Sequence, residues 1–167
     1  MLNQMSLEKA VDAKLRVMKH LPEKGDLSLI ILKGHLLIEE LLFALVSSAA
    51  KDPEAIKSAK LSYYQLASVA KALYYENRLE KRLEKRQSAI WGAIFELNNL
   101  RNTLAHNLEP QDLNKKLKRF GVVGSGGHTE SGDKVVSDPE GQMVGSIEFM
   151  CGALIGLILS KSSEDTS

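Results

Sequence analysis

The sequence has little of what marks secreted, membrane-spanning or strongly charged proteins. It contains a single cysteine, Cys151, which cannot form a disulfide within the chain and so agrees with a reducing cytoplasm. The 22 basic and 21 acidic residues leave a net charge of +1, so overall charge does not indicate nucleic-acid binding, which would need a local basic patch. The N-terminal residues lack the long apolar core of a signal peptide. We therefore expect a cytoplasmic protein.

Signals for a sheet are also lacking. Strict alternation of apolar and polar residues is missing, apart from a weak hairpin signal between residues 121 and 136. The most apolar stretch, Met143 to Leu159, is short for a bilayer span and contains Glu148, which favours a buried helix over a membrane helix. The length of 167 residues is usual for one domain. The sequence therefore predicts a single all-α domain over residues 1–167 that does not span a membrane.

Apolar periodicity and capping residues predict a bundle of about five helices. The predicted helices run from Ser6 to about His20, from Asp26 through about Ala49, from Asp52-Pro53 into the eighties, from Ser88 to about Leu108, and from Asp138-Pro139 towards a frayed C-terminal tail. A short further helix is predicted over residues 111–119, and the glycine-rich residues 121–138 are expected to form a flexible loop. The first helix places Leu7, Val11, Leu15 and Met18 on one face. The second is apolar around most of its circumference, which is typical of the centre of a bundle.

The fourth predicted helix has two apolar faces. At about 100° per residue, one stripe faces the core. This stripe comprises Ile90, Ala93, Ile94, Leu97, Leu100, Leu104 and Leu108. Trp91 and Phe95 lie on a second face, which continues at intervals of four with Asn98, Asn102 and His106. A helix that is apolar on two sides is buried on two sides, so the second face is predicted to meet a partner subunit or to line a ligand cleft.

An arginine and a histidine near the end of this helix carry the functional prediction. Arg101 lies at the edge of the leucine stripe, where it must reach solvent or bind an anion, because an unpaired buried charge is costly. Taken alone, the pair also has a structural explanation, with His106 favoured by the helix dipole and Arg101 as an ion-pair partner. The surrounding sequence LNNLRNTLAHNLEP, however, resembles the signature of HEPN (higher eukaryotes and prokaryotes nucleotide-binding) domains, an arginine and a histidine separated by four to six residues. Asn102 fills the polar position common after that arginine, and KGHLLIEELLFAL resembles the long central helix of these domains.

The resemblance implies a helical bundle that dimerises and brings two such motifs into one cleft. Many similar proteins cleave RNA without a metal, others bind or regulate without cleaving, and several act as bacterial toxins or defence effectors. In one subgroup a nucleotidyltransferase antitoxin modifies a tyrosine two residues after the histidine. This chain has Leu108 at that position, which argues against that form of control. A cognate antitoxin or another protein partner remains compatible with the resemblance.

The residue types fit cleavage of RNA by its own 2′-hydroxyl. That reaction needs a proton acceptor, a proton donor and positive charge at the phosphate. His106 suits proton transfer near neutral pH, and Arg101 offers a permanently charged fork of donors to phosphate oxygens. Asn102, four residues before His106, is expected to orient the imidazole or to hold a phosphate oxygen. One histidine per chain does not supply both acid and base, whereas a two-fold dimer supplies two.

No metal or cofactor site is predicted. His35 and Glu39 form a single potential ligand pair, and His35, on an apolar helix, is interpreted as a core histidine with a satisfied hydrogen bond. Glu39 and Glu40 are interpreted as solvent-facing or as partners of a neighbouring basic group, with pairing of either to Arg101 as the alternative. The basic run over residues 78–86 alternates with acids and is interpreted as a solvated face, with an RNA-binding patch as the alternative.

These residues and the resemblance together predict a metal-independent endoribonuclease that acts on RNA as a homodimer, in bacterial stress or phage defence. Arg101 and His106 are its expected catalytic residues, supported by Asn102. The alternative is a catalytically silent HEPN-like module, similar to mannitol-repressor-like regulators, that binds a partner protein or a nucleotide. A purely structural helical dimer is the third interpretation.

Overall fold

Helices account for the secondary structure of the described chain. A computed structural model describes residues 12, 15–17, 19–22, 25–76, 81–106, 117, 120 and 138–164, with side chains in the last helix described to residue 160. It contains α1 (Leu27–Ala49), α2 (Pro53–Ser58), α3 (Tyr63–Tyr74), α4 (Lys81–His106) and α5 (Pro139–Glu164). No strand occurs among the described residues, so the predicted all-α class is confirmed for them.

Aspartate caps begin three of these helices where the sequence predicts them. Asp26 and Asp138 each accept a hydrogen bond of 2.8 Å from a backbone N–H of the first turn. Asp52 accepts two such bonds, of 3.1 and 3.2 Å. Pro53 and Pro139 occupy the first helical position, where an N–H would have no helical acceptor. Each cap satisfies a donor that the first turn leaves unpaired, which stabilises the helix by about 1 kcal/mol.

The single helix predicted from residue 52 into the eighties is wrong, because the chain forms α2 and α3 there. Lys60, at φ 48°, turns the backbone after α2. The side chain of Ser62 then accepts a hydrogen bond from the backbone of Gln65, while the Gln65 side chain accepts one from the backbone of Ser62. This capping box fixes a new helix start. The predicted third helix ends in a run of charged residues. Those from Lys81 onward belong instead to α4, which begins at Lys81 rather than at Ser88.

α1 is the central helix of the described fold, as its apolar circumference predicts. It packs against α2, α3, α4 and α5, and most extensively against α5. Its fully buried side chains include those of Ile30, Ile31, Ile38, Leu42 and Leu45. Burying an aliphatic side chain of this size stabilises the fold by roughly 1.5–3 kcal/mol, so the other helices gain stability by covering α1.

The core stripe predicted for α4 is confirmed over its described part. Ala93, Ile94, Leu97 and Leu100 are buried, and Ile90 and Leu104 pack against the core from its edge. The second apolar face is covered within the same chain. Trp91 is 2% exposed, and the ring of Phe95 packs against that of Tyr64 in α3, with centroids 5.3 Å apart. Trp91 therefore belongs to the core of this chain and does not form a partner surface.

Several predicted segments lie outside the described residues. They are residues 121–137 of the predicted loop, residues 165–167 of the tail that is predicted to fray from residue 161, and most of the short helix over 111–119, of which only Leu117 is described. Residues 161–164 of that tail are helical and belong to α5. Leu117 and Phe120 are helical and buried. Of the apolar face predicted for the first helix, Leu7, Val11 and Met18 lie outside the described residues, and Leu15 is 58% exposed whereas Val17 is buried. The two residues lie about 200° apart around a helix, and Val17 occupies the core side.

α5 packs one face against α1 and leaves another open. Within the described residues, Pro139–Ser160 is a helical stretch long and apolar enough, by length and composition, to cross a membrane. Its inner face, with Ile147 and Leu154, is buried in the core. The spacing of Gly152 and Gly156 would allow close helix contact, but a Cβ atom on either would meet nothing within 4 Å among the described residues.

A different glycine lets α1 and α5 approach closely. A Cβ atom placed on Gly34 would overlap Cδ1 of Ile147 and lie 2.9 Å from its Cγ1. Ile147 is fully buried, so its side chain has little room to move aside. The space that a larger residue would need at position 34 is therefore already filled.

We expect Gly34→Ala to lower the free energy of unfolding by about 1–3 kcal/mol, because Ile147 must change rotamer or α5 must shift. The matched control is Gly92→Ala in α4, where an added Cβ atom meets nothing within 4 Å. There the higher helix propensity of alanine should stabilise the fold by about 0.5–1 kcal/mol. Urea unfolding followed by circular dichroism measures both variants. Equal stabilisation by the two substitutions would contradict the close packing.

Candidate functional site

A cavity of about 660 Å³ lies where α1, α3 and α4 meet. Its described lining residues are Leu32, His35, Leu36 and Glu39 of α1, Ser62, Tyr63 and Tyr64 at the start of α3, and Asn98, Arg101 and Asn102 of α4. Arg101 and Asn102, two of the three residues that the sequence singles out, therefore line it together. The lining combines apolar side chains, amides and one charge of each sign.

Helical spacing brings these residues to one place. The α1 residues lie three, four and seven positions after Leu32, so they share one helix face. The α4 residues do the same from Asn98 to Asn102. The capping box sets the start of α3 and places two successive tyrosines in its first turn. Both line the cavity, but Tyr63 is 4% exposed whereas Tyr64 is 61% exposed.

A polar network joins the three helices at the cavity. His35 is 7% exposed, and its ring stacks on that of Tyr63 with centroids 4.1 Å apart. Nε2 of His35 lies 3.1 Å from Oδ1 of Asn98, and because an amide oxygen only accepts, Nε2 is the donor. The Tyr63 hydroxyl donates to the backbone oxygen of Ile94 at 3.0 Å. These contacts fix α1, α3 and α4 relative to one another and satisfy polar groups that would be costly to bury alone.

The surroundings of the two stacked rings keep both uncharged. Desolvation lowers the pKa of His35 below its usual 6.5, and the positive charge of Arg101 also lowers it, against the Asn98 hydrogen bond and the Glu39 carboxylate, which raise it. Desolvation raises the pKa of Tyr63, and the negative charge of Glu39 adds to that rise. His35 is therefore neutral near physiological pH. The charges of Glu39 and Arg101 both act on it.

Arg101 is half-buried and forms no ion pair among the described residues. Its Nη1 atom donates a hydrogen bond of 3.2 Å to Oδ1 of the neighbouring Asn102. Glu39 lines the same cavity without forming an ion pair with Arg101, and Glu40 pairs instead with Arg16 at 2.9 Å on the surface. The guanidinium of Arg101 is therefore available to an anionic ligand.

His106 is the last residue of α4, and its side chain is exposed. It is not among the described residues that line the cavity. It follows Asn102 by one helical turn, about 6 Å along the axis. The structure therefore divides the predicted catalytic set between Arg101 and Asn102 at the cavity and His106 at the helix end.

Sequence patterns missed part of this site. His35 is buried and hydrogen-bonded as predicted, yet it also lines the cavity beside Arg101. The two tyrosines at the start of α3 are not singled out, because the pattern places them inside one long helix. The spacing of Ser62 and Gln65, typical of a capping box, is the signal that would have located them.

Other candidate groups lie apart from the cavity. Among the described residues no three His, Cys, Asp or Glu side chains are placed to hold a metal ion. Cys151 is buried, and desolvation raises the pKa of its thiol to about 12, so it remains a protonated core group. The charged run from Lys81 to Arg86 is exposed, as predicted, with Arg86 over the ring of Phe149 at 5.1 Å.

A basic cluster adjoins the cavity across Leu36. Leu36 also lines a second cavity, of about 250 Å³. Arg16, His20 and Lys33 contribute basic side chains to that second cavity, and Glu40 contributes an acid. Arg16 pairs with Glu40, so Lys33 is the cation of this cluster that has no ion pair among the described residues.

The lowered pKa of His35 predicts a loss of stability in acid. In the unfolded chain a histidine titrates near pH 6.5. As pH falls through that value, the unfolded state takes up a proton that the folded state binds more weakly, so the free energy of unfolding decreases until the pH is below the folded pKa. We expect wild type to lose more stability than His35→Gln between pH 7.5 and pH 5, as measured by urea unfolding. Parallel losses in the two proteins would refute this assignment.

Comparison with protein-family models, with curated proteins and with solved structures gives no match for this chain. The resemblance to HEPN domains therefore depends on the motif from Arg101 to His106 and on the order of the helices. What that resemblance implies for assembly and activity stays a prediction.

Proposed function

We propose that the chain is a metal-independent endoribonuclease of the HEPN type that acts as a homodimer. The observation that carries the proposal is that Arg101 has no ion-pair partner among the described residues. It lines an open cavity, its described side-chain hydrogen bond goes to the neutral Asn102, and no described carboxylate neutralises it. A half-buried arginine without an acidic partner keeps most of its fork of N–H donors for an anion. Lys33, across Leu36 in the adjoining cavity, gives a polyanion a second point of contact.

The reaction assigned to the site is transfer of the RNA phosphate to its own ribose. The 2′-oxygen attacks phosphorus, the bond from phosphorus to the 5′-oxygen breaks, and the products are a 2′,3′-cyclic phosphate and a 5′-hydroxyl. His106 of one protomer accepts the proton of the 2′-hydroxyl, and His106 of its partner donates a proton to the leaving oxygen. Arg101 stabilises the charge that develops on the phosphate, and Asn102 positions the phosphate oxygen or the imidazole.

The exposed position of His106 supports a composite site. A histidine at the helix end, outside the cavity of its own chain, is open to a second copy of α4. Because one chain contributes one such histidine, the acid and the base come from two chains. The proposal of a dimer therefore depends on the number of proton-transfer groups that the reaction needs, and no longer on Trp91, which is buried in its own chain.

A second candidate function follows from the separation of His106 from the cavity that Arg101 and Asn102 line. The cavity with Arg101 and Asn102 is complete without His106. A catalytically silent module, as in mannitol-repressor-like regulators, would therefore keep ligand binding through Arg101 and would not depend on His106. A toxin or defence role belongs to the first candidate and a regulatory role to the second.

We expect Arg101→Ala and His106→Ala each to lower RNA cleavage by about 100-fold or more while the melting temperature stays close to that of wild type. Cleavage of total RNA should yield 2′,3′-cyclic phosphate ends and persist in EDTA, because the proposed steps use only side chains and the RNA's own hydroxyl. Arg82→Ala, an exposed arginine on the same helix, is the matched control and should remain active.

Two outcomes would decide against this assignment. An inactive wild type whose Arg101→Ala variant melts at a much lower temperature would indicate a structural arginine. The second outcome concerns growth of bacteria that express the protein. If wild type and His106→Ala are equally toxic, the growth arrest does not come from cleavage at this motif.

We expect sedimentation at micromolar concentration to show a dimer, because the composite site requires two copies. The active wild type and the His106→Ala variant should sediment alike, since an exposed side chain at the helix end contributes chemistry rather than folding. A monomer that still cleaves RNA would exclude the composite site and require the acid and base to come from one chain.

A further inference from the structure

The cavity contains groups that the proposed cleavage does not use. Leu32, Leu36 and Tyr64 line it and are 42%, 57% and 61% exposed, although each is a large apolar side chain. Clustered apolar surface around a few polar groups is typical of a site for a ligand with an apolar body. An aromatic ring exposed in this way offers a stacking surface for a nucleobase.

Glu39 and Asn98 supply hydrogen-bonding groups at the same place. The Glu39 carboxylate makes no ion pair and accepts no side-chain hydrogen bond among the described residues. Asn98 accepts from His35 through Oδ1, which leaves both hydrogens of its Nδ2 for another acceptor. Because His35 is held by its stack on Tyr63, the Asn98 amide has a fixed orientation. The cavity therefore presents the two acceptor oxygens of the Glu39 carboxylate and the donor group of the Asn98 amide in a fixed orientation.

Guanine is the base whose edge complements this set. Its Watson–Crick edge has two adjacent donors, N1–H and the exocyclic amine, beside the acceptor O6. A carboxylate binds two parallel donors in a bidentate manner, and such charge-assisted pairs are the strong ones. Adenine and cytosine offer one exocyclic donor beside a ring acceptor, and uracil offers one donor between two acceptors. Guanine alone gives each oxygen of the carboxylate a donor.

We propose that this cavity is a subsite for an unpaired guanine of single-stranded RNA. The base stacks on Tyr64 and packs against Leu36, its two donors bind Glu39, its O6 accepts from Asn98, and a phosphate of the same nucleotide binds Arg101. The inference rests on the proposed function insofar as the ligand is RNA, and it adds which base is bound. Lys33 across Leu36 favours a polynucleotide over a free nucleotide, since it offers a further phosphate a contact.

The test is binding of non-cleavable RNA by the full chain. Fluorescein-labelled hexamers UUUGUU, UUUAUU and UUUIUU, with every ribose 2′-O-methylated, contain no free 2′-hydroxyl, so anisotropy reports binding alone. We expect the guanine hexamer to bind about tenfold or more tightly than the adenine hexamer. Inosine, which lacks the exocyclic amine, should fall between them.

Matched variants separate the carboxylate from general charge. Glu39→Gln keeps size and removes the bidentate acceptor, so guanine and adenine should bind within about twofold of each other. Glu40→Gln changes the next residue, which pairs with Arg16 outside this cavity, and should keep the preference. Tyr64→Ala should weaken all three hexamers by about fivefold or more, because stacking does not depend on the base.

Two results would overturn the subsite. Equal affinity of wild type for guanine and adenine would do so, as would an unchanged guanine preference in a Glu39→Gln protein that melts like wild type. The outcome is separable from that of the proposed function. Guanine preference in a chain that cleaves no RNA would support the subsite and refute the ribonuclease, and cleavage without base preference would do the reverse.

Discussion

The packing of neighbours around α1 is the constraint on which the rest of the structure depends. α1 is apolar around most of its circumference, so it is stable only when several helices cover it. At Gly34 the absence of a side chain lets Ile147 of α5 fill the space against its backbone. α3 and α4 pack against α1 as well. The cavity forms where these three helices meet, and its position follows from how they surround α1.

A polar network lies within this apolar framework. Burying an imidazole without a hydrogen bond would be costly, and His35 avoids that cost through Asn98 and through its stack on Tyr63. Two opposite charges lie at the same cavity as this network. Glu39 and Arg101 both influence the pKa of His35, yet they do not pair with each other. Each therefore remains free to interact with a ligand that carries both a donor edge and an anionic group.

The separation of His106 from the cavity suggests a division between binding and chemistry. Arg101 and Asn102 lie about one helical turn before the exposed end of α4, whereas the histidine that lines the cavity, His35, is buried with its Nε2 bound to Asn98. Under the proposed mechanism, base recognition belongs to one chain and proton transfer to two. The same arrangement accounts for a binding module if the second chain is absent, because the cavity does not depend on it.

The sequence by itself determined what short-range chemistry controls. Aspartate caps, proline positions and the leucine stripe of α4 follow from groups within one or two helical turns, and they were predictable for that reason. The helical pattern does not predict the break between α2 and α3, because the capping box at Ser62 lies within an otherwise continuous helical pattern. Only the tertiary structure decided that Trp91 is covered within its own chain and that His35 stands beside Arg101. His35 and Asn98 are 63 residues apart, and no local pattern states that two helix faces so distant in sequence will meet.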